Sequence, residues 1–310
     1  MKEKTRYINL RTDFGFKRIF GSEKRKNLLI RFLNALLGEN MTIIDVNHVP
    51  TERQSDYIDG KRIVYDVSFM SKVDYVNMSK CRQIQMNQRI HSSDCKVDPN
   101  ASHFILEMQN VYEPPFEDRL VYYVSKALSG QLRKGSKYWL MPVVAIAVTN
   151  FNFQHLTPRL VHDMGIRDKI NGELLTEQLR ILLVSLTEVK DWNECETELE
   201  RLLFLIKNMD KMDNESKAYK CGEYDEFFEA ADSLHLLAEE AAVYASSLYH
   251  LEDVEASVNF AKIAAREEGR EEGRMMEKRD MAVKLLNLNL PIDMVVSATG
   301  LSVEEINKLM

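Results

Sequence analysis

The chain has 310 residues, 45% of them hydrophobic and 29% charged, enough for one large domain with accessories or two modest domains. Its formal net charge of −7 argues against a nucleic-acid protein, yet residues 1–37 hold ten Lys/Arg against three acids and residues 188–240 hold 16 acids against six bases, so a basic end sits on an acidic body. The four cysteines (Cys81, Cys95, Cys195, Cys221) form no CxxC pair, no phosphate-binding glycine motif suggests a nucleotide cofactor, and no apolar run reaches the roughly 18 residues of a membrane span; with an opening segment that lacks an apolar core, a reducing, cytoplasmic setting is expected.

Thr12-Asp13 opens a first helix, with Asp13 as a capping candidate and Phe16, Ile19 and Phe20 on one side. Ser22 is placed to cap a second helix, in which Leu28, Leu29, Phe32, Leu33 and Leu36 recur at helical spacing until Gly38. A first strand follows, with Ile44, Val46 and His48 alternating against Asp45, Asn47 and Val49. After a hairpin-type turn at Asp59-Gly60, RIVYDVSF (62–69) alternates: Ile63, Tyr65, Val67 and Phe69 point one way, Val64, Asp66 and Ser68 the other. Residues 70–100 are polar without a steady period and read as an insertion or extended hairpin. HFILEMQ (103–109) is another strand, with Ile105, Glu107 and Gln109 sharing a face. A helix from Glu117 to about Arg133 comes next, then VVAIAV (143–148), whose continuous apolar run marks a strand covered on both faces.

Beyond about residue 155 the pattern reads as helical, through LLTEQLRILLVSL (174–186), ELERLLFLIKNM and the stretch from Asp225 to Ala265. REEGREEGR (266–274) reads as a charged, exposed helix or hinge. In residues 280–310, Pro291 starts one short helix and Ser302 caps another, with Glu305 completing a capping box. The expected divisions are therefore 1–155, 156–265, 266–279 and a helix-turn-helix-like unit at 280–310. The last helix, VEEINKL, carries two acids and one lysine and suits partner packing better than a phosphate backbone.

Asp66 lies in an apolar strand, where a carboxylate is costly unless it is paired or bound to a cation. If that strand pairs with 103–109, Asp66 and Glu107 approach within reach of a shared ion, and two hard oxygen donors with room for water suit Mg²⁺. Gln109, on the same face, would orient water or touch a scissile phosphate. As a string, D-x(n)-E-x-Q has little specificity and is equally met by solvent-facing polar residues. Arg119, Tyr122, Tyr123 and Lys126 form one stripe on the following helix, so Arg119 and Lys126 are candidate phosphate contacts, as are Lys17 and Arg18 from the basic end. The seven histidines show no HxH or HExxH.

The ordered set RTDFGFKRIFGSEKRKNLLIRFLNALLG (11–38), IVYDVSF (63–69), ILEMQ (105–109) and FEDRLVYYVSKALSGQL (116–132) resembles the PD-(D/E)XK nuclease family transposases, also called the Rpn family of recombination-promoting nucleases. The tail, REEGREEGR with AVKLLNLNLPIDMVVSATGLSVEEINKL (282–309), is similar to the C-terminal end common in that family. The resemblance implies an α/β, restriction-endonuclease-like αβββαβ core, a mixed sheet flanked by helices, followed by a mostly helical C-terminal half. It also implies Mg²⁺-dependent (or Mn²⁺-dependent) DNA cleavage linked to recombination, with Asp66, Glu107 and Gln109 as the catalytic set and Asp66 and Glu107 as metal ligands. Asp66 and Glu107 stand 41 residues apart, longer than the family's short hairpin, so activity is expected to depend on whether the 70–100 insertion leaves the pair together. The rival expectation is a catalytically silent DNA-binding or scaffolding protein on the same fold; an acidic helical interaction protein is a third. A homodimer is the simplest way to cut both strands of a duplex.

Overall fold

Thr12 starts helix α1 (Asp13–Phe20): its side chain accepts the Gly15 N–H, and Asp13 occupies the first turn. The loop before α1 packs so closely that a Cβ on Gly15 would stand 2.3 Å from the Asn9 carbonyl oxygen, so only glycine fits there. Ser22 makes no side-chain cap; a 3₁₀ turn (Glu23–Arg25) leads into α2 (Lys26–Leu37), which stops at Gly38 in a positive-φ conformation as its glycine predicts. This computed structural model describes residues 5–38, 41–53, 63–75, 79–90, 98, 100–132, 135, 137–212 and 222–309. The expected turn at Asp59-Gly60 lies outside them.

The chain forms two compact units, Met1–Leu251 and Glu252–Met310. The first is built on a six-stranded mixed sheet of β1 (Met41–His48), β4 (Val67–Tyr75), β5 (Ala101–Gln109), β6 (Val143–Thr149), β8 (Leu174–Ser185) and β7 (Val161–Arg167), in that spatial order; β2 (Glu52–Arg53) and β3 (Ile63–Val64) pair separately. β1, β4 and β5 run antiparallel in turn, β5, β6 and β8 run parallel, and β7 closes the edge antiparallel to β8. Helix α4 (Phe116–Ser129) is the crossover between the parallel strands β5 and β6. The expected core order, helix–three strands–helix–strand, is present.

The sheet is buried on both faces. On one, Phe69, Phe104, Leu106, Ile146 and Val184 pack with α1, α2, α5 (Glu198–Asn208) and α6 (Asp225–Ala231). On the other, Ile105, Ala145 and Leu183 pack against α4 through Val124, Ala127, Phe116 and Leu120. Burial of this kind contributes about 1.5–3 kcal/mol for each large apolar side chain.

Several local expectations give way to the structure. LLTEQLRILLVSL (174–186) is strand β8, not a helix: Leu182 and Val184 face one core while Ile181 and Leu183 face the other, and a short run buried on both sides carries no period that separates strand from helix. Its partner β7 was likewise not anticipated. In β1 a bulge falls between Ile43 and Asp45, so Ile43 and Val46 are buried and Ile44 is exposed, which breaks the simple alternation. Tyr65 and Asp66 lie between β3 and β4, and the face changes there: Tyr65 joins the α4 side, Val67 and Phe69 the opposite side. The polar stretch 70–100 holds the rest of β4 and an eleven-residue helix, α3 (Lys80–Ile90), packed on β8.

Helix α7 (Ala238–Asn287) runs without a break through REEGREEGR, so that segment is helix rather than hinge. The second unit closes with α8 (Ile292–Thr299), entered from Pro291, and α9 (Val303–Asn307), where Ser302 and Glu305 form the expected capping box. Ala282, Val295, Leu301 and Ile306 make its small core. Among the described residues no helix is long and apolar enough to cross a membrane.

Candidate active site

Val67 pairs with Leu106 at the end of the antiparallel β4–β5 ladder, and just beyond it Asp66 and Glu107 meet through hydrogen bonds. The two residues then interlock. The Asp66 N–H donates to Glu107 Oε1 at 3.2 Å, and the Met108 N–H donates to Asp66 Oδ2 at 2.8 Å. The 40 intervening residues, α3 included, leave the pair together. Glu107 is 7% exposed, whereas the Asp66 side chain keeps 23% of its surface open to solvent.

Two buried like charges are hard to ionise together. Burial pushes the Asp66 carboxyl up to about 6; the Met108 N–H, Lys17 and Arg119 oppose the shift, while Asp13 adds to it. Glu107 is raised well above its ordinary range by burial and then by the Asp66 charge, against the pull of the Asp66 N–H, Arg119 and Lys17. Tyr123, packed edge-on to Tyr65, is pushed up to about 12 by burial and the Glu107 charge.

The cations come from two helices. Lys17 on α1 has its ammonium 2.6 Å from Asp13 Oδ1 and 4.0 Å from Asp66 Oδ1. Burial lowers its pKa, but Asp13, Asp66 and Glu107 together outweigh that and raise it. Arg119 on α4 donates from Nη2 to Gln109 Oε1 at 2.8 Å and stacks its guanidinium over Phe116. The other end of the Gln109 amide donates to the Val111 carbonyl at 2.9 Å. Gln109 is thus engaged at both ends and fixes Arg119 beside the carboxylates.

The remaining candidates stand elsewhere. Arg18, one residue from Lys17, turns away: its Nε donates to the Ala230 carbonyl and its Nη1 pairs with Glu240 at 2.6 Å, with only 7% of the side chain exposed. Lys126 lies two turns along α4 from Arg119 and is partly buried. Asp13 leaves the capping to Thr12 and pairs with Lys17 instead. Sequence reasoning placed Lys17 only as a DNA contact and missed its approach to Asp66; the i, i+4 spacing of Asp13 and Lys17 was the available signal. It also missed the Arg119–Gln109 bond, since ten residues of sequence separate a strand end from the next helix.

A family model described as PD-(D/E)XK nuclease family transposase matches residues 10–91 and 71–261. The chain belongs to that family. Both acidic strands, α1 and α4 lie inside the matched range, and membership points to a nuclease- or transposition-related function. No curated protein and no solved structure matches the chain. PD-(D/E)XK nucleases generally use divalent metals, and the donor set here fits one. The two buried carboxylates converge with their ionised forms disfavoured, Lys17 and Arg119 offset this only in part, and a bound cation would offset the rest. Among the described residues no group of three or more His, Cys, Asp or Glu is placed to hold a metal ion, so any ion here would rest on the two carboxylates.

Proposed function

We propose that this member of the PD-(D/E)XK family is a Mg²⁺-dependent DNA endonuclease, with Mn²⁺ as a substitute, acting in recombination or transposition in the cytoplasm. The observation that carries this reading is the reciprocal locking of two buried carboxylates, Asp66 and Glu107, at the edge of solvent with cations on either side. Asp66 and Glu107 would hold the ion. A divalent cation bound there would polarise the phosphodiester and acidify its water.

The chain's own residues supply the rest. Backbone N–H groups from Asp66 and Met108 keep each carboxylate aimed at the other's strand, so neither has to reorganise when substrate arrives. Gln109 holds Arg119, whose guanidinium would donate to a phosphate oxygen. A homodimer would present two such sites to the two strands of a duplex.

The test is conversion of supercoiled plasmid by the purified chain in Mg²⁺ or Mn²⁺, with EDTA and Asp66→Ala as controls. Metal-dependent nicking or linearisation that vanishes in Asp66→Ala supports the reading. Equal nicking by the mutant, or none by the unmutated chain, removes it and leaves the silent DNA-binding alternative.

A further inference from the structure

Lys17 and Arg119, the cations that act on the carboxylate pair, and Arg18, next to Lys17 on α1, differ in their freedom. Arg119 is fixed on Gln109 and on the Phe116 ring, and Arg18 is enclosed between Ala230 and Glu240. Lys17 is different. Its side chain is 40% exposed, and its short contact is to Asp13, which is itself 60% exposed. From there the ammonium already reaches to 4.0 Å from Asp66 Oδ1. A flexible four-carbon stem with three rotatable donors can leave one carboxylate for another oxygen nearby without disturbing the helix.

The helix that carries it is tied down. The Asn9 N–H donates to the Tyr244 hydroxyl and the Phe14 N–H to Ser247 Oγ, while Asn110 Nδ2, next to Gln109, donates to the Arg11 carbonyl. The start of α1 is therefore pinned to the site end of β5 and to α7. Gly15 permits the close approach of the Asn9–Thr12 segment to α1. The exposed Lys17 side chain thus extends from a fixed base.

We propose that Lys17 is a working ammonium of the site, parked on Asp13 at rest and transferred to a non-bridging oxygen of the scissile phosphate as charge builds there. The proposal rests on the nuclease reading. In the step concerned, a water oxygen forms the new bond to phosphorus while the bond to the leaving oxygen breaks; the attacking water gives a proton to solvent and the departing alkoxide takes one from solvent. Negative charge gathers on the non-bridging oxygens, where Lys17 donates a hydrogen bond and gives up no proton. Asp13 acts as a positioning residue: it holds the ammonium near Asp66 but off the substrate's binding contacts. Lys17 then contributes to the rate of cleavage more than to affinity for DNA.

The experiment is single-turnover cleavage of a duplex oligonucleotide in Mg²⁺, with DNA affinity in EDTA and Mn²⁺ affinity measured on the same preparations of the full chain. Lys17→Gln is expected to slow cleavage about 10²–10³-fold, the loss typical of one donor to developing charge, with both affinities within about threefold of the unmutated chain. Lys17→Arg should recover part of the rate. Asp13→Asn should lower it about tenfold with DNA affinity unchanged, since misplacement of a charged donor acts on the rate. Lys17 is too exposed for these changes to unfold the protein, and unchanged thermal midpoints would verify that. Cleavage by Lys17→Gln within about threefold of the unmutated chain, or a defect abolished by saturating DNA, overturns this proposal alone. Absence of cleavage by the unmutated chain overturns it together with the nuclease reading.

Discussion

Two polar pairs bridge β4 and β5 in the same sheet, and they are built on opposite principles. Ser68 and His103 are 0% and 2% exposed, with the Ser68 hydroxyl 2.8 Å from His103 Nε2. Four residues along β5, on the same face, Glu107 meets Asp66. The first pair satisfies a donor with an acceptor and needs no charge. The second sets like charges together in a buried place, offset by two backbone N–H groups and two flanking cations. A neutral satisfied pair is how a sheet tolerates polar atoms; a like-charge pair at the solvent edge is an arrangement that a bound cation would offset.

The largest expected effect is on metal affinity. Asp66→Asn and Glu107→Gln should each weaken Mn²⁺ binding by about 100-fold or more, exceeding the 10–100-fold typical of second-layer changes. Ser68→Ala and His103→Gln should leave it unchanged. Calorimetric titration of the four variants checks this, and equal weakening by both kinds of variant would erase the distinction.

Stability should divide the pairs the other way. His103→Ala leaves the Ser68 hydroxyl buried without its partner and should cost about 1–3 kcal/mol, read as a lowered urea midpoint at unchanged slope. Glu107→Gln in the metal-free chain should raise that midpoint, because it removes half of a like-charge pair. A fall in stability on Glu107→Gln as large as that of His103→Ala would mean that the pair is structural.

The pH dependence follows from the same electrostatics. A carboxyl whose folded pKa is raised above its unfolded value holds its proton more tightly when folded. Metal-free stability therefore falls as pH climbs from the ordinary carboxylate range through about 6 for Asp66, and Glu107 extends the fall upward. Thermal midpoints of the metal-free chain between about pH 5 and pH 8 should drop more steeply than those of Glu107→Gln, and Mg²⁺ added at the upper end should restore much of the loss. Parallel profiles for the two chains would contradict this.

The smallest effect on the site itself concerns the scaffold of α1. Gly15→Ala forces a methyl toward the Asn9 carbonyl and should cost about 1–3 kcal/mol through displacement of the loop, with metal affinity retained.

How far the sequence foretold this contrast depends on the kind of residue. Glu107 and Gln109 were legible because β5 keeps a period of two, and Asp66 because a lone acid in an apolar run asks for a partner. His103 shares the face of Glu107 in the same pattern, and the structure sets it against the Ser68 hydroxyl. Strand β8 was illegible because burial on both faces erases the period that marks a strand. The bulge at Ile44 and the face change at Tyr65–Asp66 come from one-residue shifts of backbone register, which no side-chain pattern announces. Lys17 was visible as a basic residue, but its place beside Asp66 depends on how α1 is pinned to β5 and α7, a tertiary fact.

The most direct measurement is plasmid cleavage by Asp66→Asn, Glu107→Gln, Ser68→Ala and His103→Gln side by side in Mg²⁺. The predicted result is loss of cleavage in the first two by about 10² to 10³-fold or more, with the second two near the unmutated rate. Wild-type rates from Asp66→Asn or Glu107→Gln would contradict the claim that this carboxylate pair is the cleavage centre.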